Sequence, residues 1–224
     1  PRYIAEHPIS IAEAIMRIEG NSFPIGDLKE RMDEIRMEGE KFFENIYVRD
    51  LIADPDGNIK DVVTEKEPIR KYPTPKDSKE GAVELFERPK LGSDNKPMRN
   101  RYIAGIDPYD SDTGTSLGCI RLFDLYTDTY VAKYIGRPKF ADDFYEICRR
   151  LLLLYDARAL YENNKPGLFN YFLQKGCTYL LEGAPQWLKD QEIISKKSSY
   201  GNASKGVYAN DVLSDTGRRL QKEW

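Results

Sequence analysis

The chain has 224 residues, 40% of them hydrophobic, with 34 basic and 37 acidic side chains and a net charge of −3. That length suits one large domain, or a domain of about 120–150 residues with a smaller unit beside it, and no apolar run approaches the roughly 18 residues of a membrane span. The only histidine is His7, which argues against a serine–histidine triad or a histidine-rich zinc site and leaves any chemistry to carboxylates, lysines or a metal. The three cysteines, Cys119, Cys148 and Cys177, lie in apolar or helical patterns and read as reduced core thiols rather than a disulfide framework. Near-balanced charge does not mark a nucleic-acid binder, nor does it exclude one, because charge can be segregated by face. No signal-peptide pattern opens the chain, and a start at Pro1 is expected of a fragment.

In chain order, the first predicted helix covers residues 9–18, with Ser10 as its N-cap candidate and Gly20 and Asn21 as its stop. A second, Asp27 to Glu38, is strongly charged with a sparse apolar face, as on a protein surface. Residues 46–53 and 59–64 read as two strands joined through the turn sequence DPDGN. Residues 67–81, with Pro68, Pro73 and Pro75, form the best linker candidate. AVELFE at 82–87 reads as a strand, and a polar loop runs from Pro89 to Arg101.

The texture changes at Tyr102. Strands are predicted at 102–107, 116–124 and 129–136, then an amphipathic helix over 140–156 and a strand at 157–162. A helix from Pro166 to Lys175 with Gly176 behind it follows, then a strand at 178–181. Residues 190–206 form a polar Ser/Lys/Gly-rich loop before a final helix from Asp211. The order β β β α β α β implies a mixed α/β sheet of five strands with flanking helices. The division expected is an accessory linker region with a hairpin over 1–100 and a domain over 101–224.

Two acids stand out. YIAGID at 102–107 is an apolar strand that ends in Asp107, and ARALYE at 157–162 ends in Glu162. Carboxylates at the tips of adjacent strands suit hard cations such as Mg²⁺ or Mn²⁺, which prefer oxygen ligands and keep several waters. Two such ions about 3.5–4 Å apart can activate water and stabilise a leaving oxygen in phosphodiester hydrolysis without a histidine. Taken singly, Asp107 reads equally as a turn residue before Pro108, and Glu162 as a capping acid before Asn163. Asp110 and Asp112 either join the metal sphere or form the turn. Asn163 and Asn164 contact substrate backbone, or Asn164 caps the next helix. Glu182, ahead of Gly183 and Pro185, reads as a loop residue.

The element order is that of the ribonuclease H fold, in which the first strand carries a central aspartate and the fourth ends beside it with a second acid. GIDPYDSD at 105–112, SLGCIRLFD, YVAKYIGRP at 130–138, FYEICRRLLLLYDARALYENNKPGLFNYF at 144–172 and KGVYANDVLSDTGRRLQKEW at 205–224 together resemble the nuclease domain of phage terminase large subunits. EHPISIAEAI at 6–15 and GNSFP at 20–24 extend the likeness upstream, and it is strongest to the terminases of crAss-like phages. The resemblance implies a metal-dependent endonuclease cleaving concatemeric double-stranded DNA, with Asp107 and Glu162 as catalytic acids and ligands of two Mg²⁺ or Mn²⁺ ions. It also implies a C-terminally incomplete domain whose third acid lies beyond Trp224, since Asp211 and Asp215 do not sit in that acid's context. The implied partners are a motor ATPase domain in cis, the phage portal and the small terminase subunit, in the host cell cytoplasm. No glycine-rich loop ending in GK[ST] occurs, so ATPase activity is not assigned here.

Lys196, Lys197 and Lys205, with Arg137, Lys139, Arg218 and Arg219, are the candidates for a phosphate-tracking surface; a solvated basic loop accounts for them equally well. Two other functional classes remain: another ribonuclease H-like nuclease of the resolvase or integrase type, and a catalytically silent module docking on a portal or motor domain.

Overall fold

The computed structural model describes residues 25–71, 78–190 and 205–223. The predicted helix at 9–18, part of the linker candidate, and Lys196 and Lys197 lie outside the described residues. Residues 46–209 gather into one compact body, and residues 25–45 and 210–223 belong to a second. In that second body, helix α1 (Ile25–Glu38) buries no side chain and carries the ion pairs Arg31–Glu34 at 2.6 Å and Arg36–Asp33 at 3.1 Å, as its charged sequence predicts.

The larger body is built on strands β1 (Tyr47–Ala53), β2 (Ile59–Val63), β3 (Val83–Leu85), β4 (Tyr102–Asp107), β5 (Gly118–Asp124), β6 (Thr129–Gly136) and β7 (Arg158–Tyr161). Helices α2 (Ala141–Tyr155), α3 (Gly167–Gln174) and α4 (Gln186–Asp190) complete it, and α5 (Asp211–Glu223) belongs to the second body. All seven strands hydrogen-bond into one sheet in the order β2-β1-β3-β6-β5-β4-β7, antiparallel throughout except for β4 and β7.

The period-2 rule for strands sets the two faces of this sheet. In β4, Tyr102, Ala104 and Ile106 are buried while Ile103, Gly105 and Asp107 are exposed. In β5, Ile120 and Leu122 are fully buried and Arg121 between them is exposed. The buried set packs beneath α2, whose Phe144, Cys148, Leu151, Leu152 and Tyr155 are all 0% exposed. Arg150 of α2 donates to the Leu51 carbonyl at 2.6 Å, tying the helix to β1. Asp156, at φ 50°, closes α2 in the left-handed conformation and turns the chain directly into β7.

The sheet corrects the expected count of five strands to seven. The β1–β2 hairpin forms as predicted, with the Asp54 carboxylate accepting the Asp56 and Asn58 amides at 3.1 and 2.9 Å across the turn. It does not stand apart: β3 pairs with β1 on one side and β6 on the other, so residues assigned to an accessory region before residue 100 share a sheet with β4–β7. The short β3 covers what would otherwise be the free edge of β6. Its Glu84, 1% exposed, is held by Arg70 at 2.7 Å and Lys133 at 2.8 Å.

The strand expected at 178–181 is a 3₁₀ turn, Thr178–Leu180. The Leu180 and Leu181 amides bond locally to Cys177 and Thr178, leaving a single bridge from Leu181 to Ala159 and one bond from the Glu182 amide to the Ala159 carbonyl at 2.8 Å. Backbone donors satisfied within a turn are not available to a ladder.

At the far end of β5, Asp124 is fully buried, and Arg101 donates to it through Nε at 2.8 Å and Nη2 at 2.7 Å. Burial acts to raise this carboxyl, but the guanidinium and the Tyr126 amide outweigh it and hold it below the usual carboxylate range. Arg101→Ala strands a buried carboxylate and is expected to cost about 3–5 kcal/mol of stability, read by urea denaturation. Loss of less than about 1 kcal/mol would mean that the pair does not anchor the β4–β5 end of the sheet.

Candidate metal centre

Asp107 and Glu162 are brought together by the parallel pairing of β4 and β7. The register runs from Ile103 opposite Arg158 to Ile106 opposite Tyr161, and the Glu162 amide continues it by donating to the Ile106 carbonyl at 3.0 Å. Each acid is the next residue after the last position at which β4 and β7 pair, so both occupy the same level of the sheet. Asp107 is exposed and Glu162 half-buried, and the two carboxyls hydrogen-bond to one another.

Both carboxyls are held above their ordinary range. For Asp107 the largest cause is desolvation, only partly relieved by the hydrogen bond from Glu162 and by the charge of Lys165. For Glu162 desolvation again leads, reinforced by the Asp107 charge and by its donor role in the shared hydrogen bond; Lys165 and Asn164 oppose. Two like charges at one site cannot both ionise freely, so each carboxyl holds its proton to a higher pH than it would alone.

The loop after Asp107 is fixed by its own acids. Asp112 accepts the Ala141 amide at 2.8 Å, capping α2, where Phe140 at the N-cap offers no acceptor. Asp110 accepts the Gly167 amide at 3.0 Å, at the start of α3 behind Pro166, and accepts the Tyr145 hydroxyl at 2.6 Å. Any side chain at residue 167 would collide with the Asp110 carboxylate and the Tyr145 hydroxyl, which explains the glycine. Arg137 stacks on Tyr109 at 4.1 Å and donates to the Ser111 and Ser116 carbonyls. Asp110 and Asp112 thus cap α3 and α2 from outside each helix, a role the sequence reading of metal ligand or turn former did not include.

Glu162 is fixed from the other side. The Asn163 amide donates to the Val207 carbonyl at 2.7 Å, and its side chain donates to the Lys205 carbonyl at 2.7 Å. Asn164 accepts the Ala209 amide at 2.8 Å and donates to the Ala209 carbonyl at 3.4 Å. These two asparagines pin residues 205–209 against the end of β7; neither caps α3, whose first amide is taken by Asp110.

The structure therefore redistributes the basic candidates. Arg137 braces the β4–β5 loop, and the Lys205 ammonium donates to the Leu181 carbonyl at 2.6 Å. Lys139 lies over the Phe140 ring at 5.2 Å. Arg218 pairs with Asp215 at 3.2 Å on α5, beside Arg219, in the second body. Lys165, which the sequence does not single out, is the cation that acts on both acids; its place three residues after Glu162, in the turn before α3, was the available signal.

The donor chemistry fits a hard divalent cation. Both ligands are carboxylates, Asp107 is open to solvent, and the site carries a like-charge cost that a dication would relieve. Cys119, opposite Asp107 on β5, is kept in its thiol form by burial and adds no thiolate. Among the described residues no cluster of three or more acids, cysteines or histidines gathers. Among the described residues, too, no helix is long and apolar enough to cross a membrane. Compared with models of known protein families and with curated protein sequences, the chain finds no match in either.

The raised carboxyls fix a pH dependence. Each binds its proton more tightly in the folded chain than in the unfolded one, so its contribution is greatest below the ordinary carboxylate range and is lost as pH rises through the raised native value. Asp107→Asn removes the repulsion and keeps a hydrogen-bonding partner for Glu162. Its thermal midpoint should exceed that of the unaltered chain at pH 7, and the gap should close toward pH 4. Equal midpoints at both pH values would mean that the two acids are not coupled.

Proposed function

We propose that the body carrying β4–β7 is a ribonuclease H-like nuclease domain of a viral DNA-packaging terminase, hydrolysing phosphodiester bonds of double-stranded DNA with Mg²⁺ or Mn²⁺ held by Asp107 and Glu162. One observation carries the reading: two carboxyls hydrogen-bonded across the ends of adjacent parallel strands, one of them open to solvent. The order β6-β5-β4-β7, with three antiparallel strands, a helix and then a parallel strand beside the first, supports it, as do the motifs around both acids. The likeness of fold alone would not establish activity.

A bound dication would lower the pKa of a coordinated water and polarise a phosphoryl oxygen. The chain's own residues do the rest. Glu162 and Asp107 would hold the cation as carboxylates, and the capped β4–β5 loop fixes the direction of Asp107. Asn163 and Asn164 hold the backbone behind Glu162 so that it cannot turn away. Lys165 sits close enough to moderate the charge of both acids, and is placed to meet a substrate phosphate. Partners on this reading are an ATPase domain in cis, the portal and the small terminase subunit.

Supercoiled plasmid in Mn²⁺ tests the reading. The unaltered chain, or a version extended past Trp224 to supply a third acid, is expected to nick and linearise it. Asp107→Ala should lower that rate at least about 100-fold with the melting transition retained. A folded Asp107→Ala variant that cuts as fast as the unaltered chain would remove Asp107 from the site. Failure of both unaltered versions to cut, with no stabilisation by Mn²⁺, would favour a docking module instead.

A further inference from the structure

The acid pair stands at one end of an open sheet face, and the strand register orders that face into rows. The first row is Glu162, Asp107 and Cys119; the next is Leu160, Gly105 and Arg121; the third is Arg158, Ile103 and Phe123, with Tyr130 beyond across a bulge. Rows are about 7 Å apart and neighbouring strands about 5 Å. None of this face packs beneath α2: Ile103 is 45% and Tyr130 43% exposed.

Gly105 is the unusual residue. Its backbone is ordinary strand, and a Cβ built on it meets no described atom within 4 Å. Nothing in the described fold requires a glycine there, and in a strand interior a glycine weakens the strand by entropy. The register runs unbroken through Gly105 on both sides, so no bulge accounts for it, and a bare backbone in mid-strand then marks the close approach of a ligand or of another chain segment. It lies one row from Asp107 and directly across the ladder from Arg121.

Arg121 is exposed, and among the described residues no ion pair holds it; its guanidinium lies 5.9 Å from the Tyr130 ring. Arg158, also exposed, lies over the Tyr179 ring at 5.6 Å. Lys133, next to Arg121 on β6, is turned to the buried Glu84, which it shares with Arg70. Arg121 hydrogen-bonds the Cys119 side chain, and among the described residues no acid pairs with either arginine; two such cations beside aromatic rings suit phosphates and bases.

We propose that the open face over Gly105 is the floor on which a DNA strand lies, with Arg121 contacting its phosphate and the Asp107–Glu162 pair one row away. This rests on the nuclease reading for the identity of the polymer, and places its path on the sheet rather than on the 190–206 loop. Gly105 admits the strand by having no side chain, and Arg121 sets its distance from the acids.

The test is binding of a fluorescein-labelled DNA duplex by anisotropy, without divalent metal, across a salt series. Gly105→Val is expected to melt at or above the temperature of the unaltered chain and to keep its stabilisation by Mn²⁺, yet to bind DNA at least 10-fold more weakly. Arg121→Ala, an exposed position whose loss leaves the fold intact, should weaken binding and reduce the salt slope by about one, and Arg121→Lys should restore part of both. DNA binding unchanged in Gly105→Val, or an unchanged salt slope in Arg121→Ala, would overturn the floor while leaving the nuclease reading to its own Mn²⁺ cleavage test. An unaltered chain that binds no duplex would overturn the floor as well, whatever the metal result. Should Gly105→Val not fold, Gly105→Ala is read by the same criteria.

Discussion

Everything at this site depends on the parallel pairing of β4 with β7, the one parallel pair of strands among the described residues. β4 and β7 are separated in sequence by two antiparallel strands and the whole of α2, and they meet in a register that ends on two acids. Because side chains alternate along a strand, a slip of one residue would carry Glu162 to the opposite face from Asp107. The register is held by Ala104, Ile106, Ala159 and Tyr161, all buried on the α2 side, so the burial that stabilises the core also fixes which acids meet on the open side.

Bringing two carboxyls together after partial desolvation is unfavourable, and the surrounding structure offsets that cost by leaving each strand end little freedom to relax. Asp110 and Asp112 bind the loop after Asp107 to the amino ends of α3 and α2, and Arg137 bridges the loop's two sides. Asn163 and Asn164 hold the chain after Glu162 to residues 205–209. Four polar residues that look in sequence like additional ligands or substrate contacts are thus the supports of two that remain. A site whose charges are mutually unfavourable and whose backbone is fixed has a built-in preference for a dication or for a retained proton.

Much of this was legible in the sequence where the controlling physics is local. The apolar run of Tyr102–Asp107 gives strand and terminal acid together, though not which of its faces stays open, and the Asp54–Asn58 turn and α2 follow from equally short-range patterns. What depended on distant partners was not legible. Nothing within AVELFE says that it will join β1 to β6, and nothing within Thr178–Leu181 says that its amides will close a 3₁₀ turn. Basic residues show the same limit. Lys205 and Arg137 appear free in sequence but spend their donors on backbone carbonyls, whereas Arg121, hidden in the apolar run of β5, faces outward.

The central claim is that Asp107 and Glu162 form a coupled carboxyl pair, each raised by burial and the pair's mutual repulsion, that a divalent cation can discharge. Calorimetric titration of the protein with Mn²⁺, repeated just above the ordinary carboxylate range in two buffers of different ionisation enthalpy, measures it most directly. The account predicts binding accompanied by proton release, with both lost in Asp107→Asn. No binding, or binding with no proton release that persists in Asp107→Asn, would contradict it.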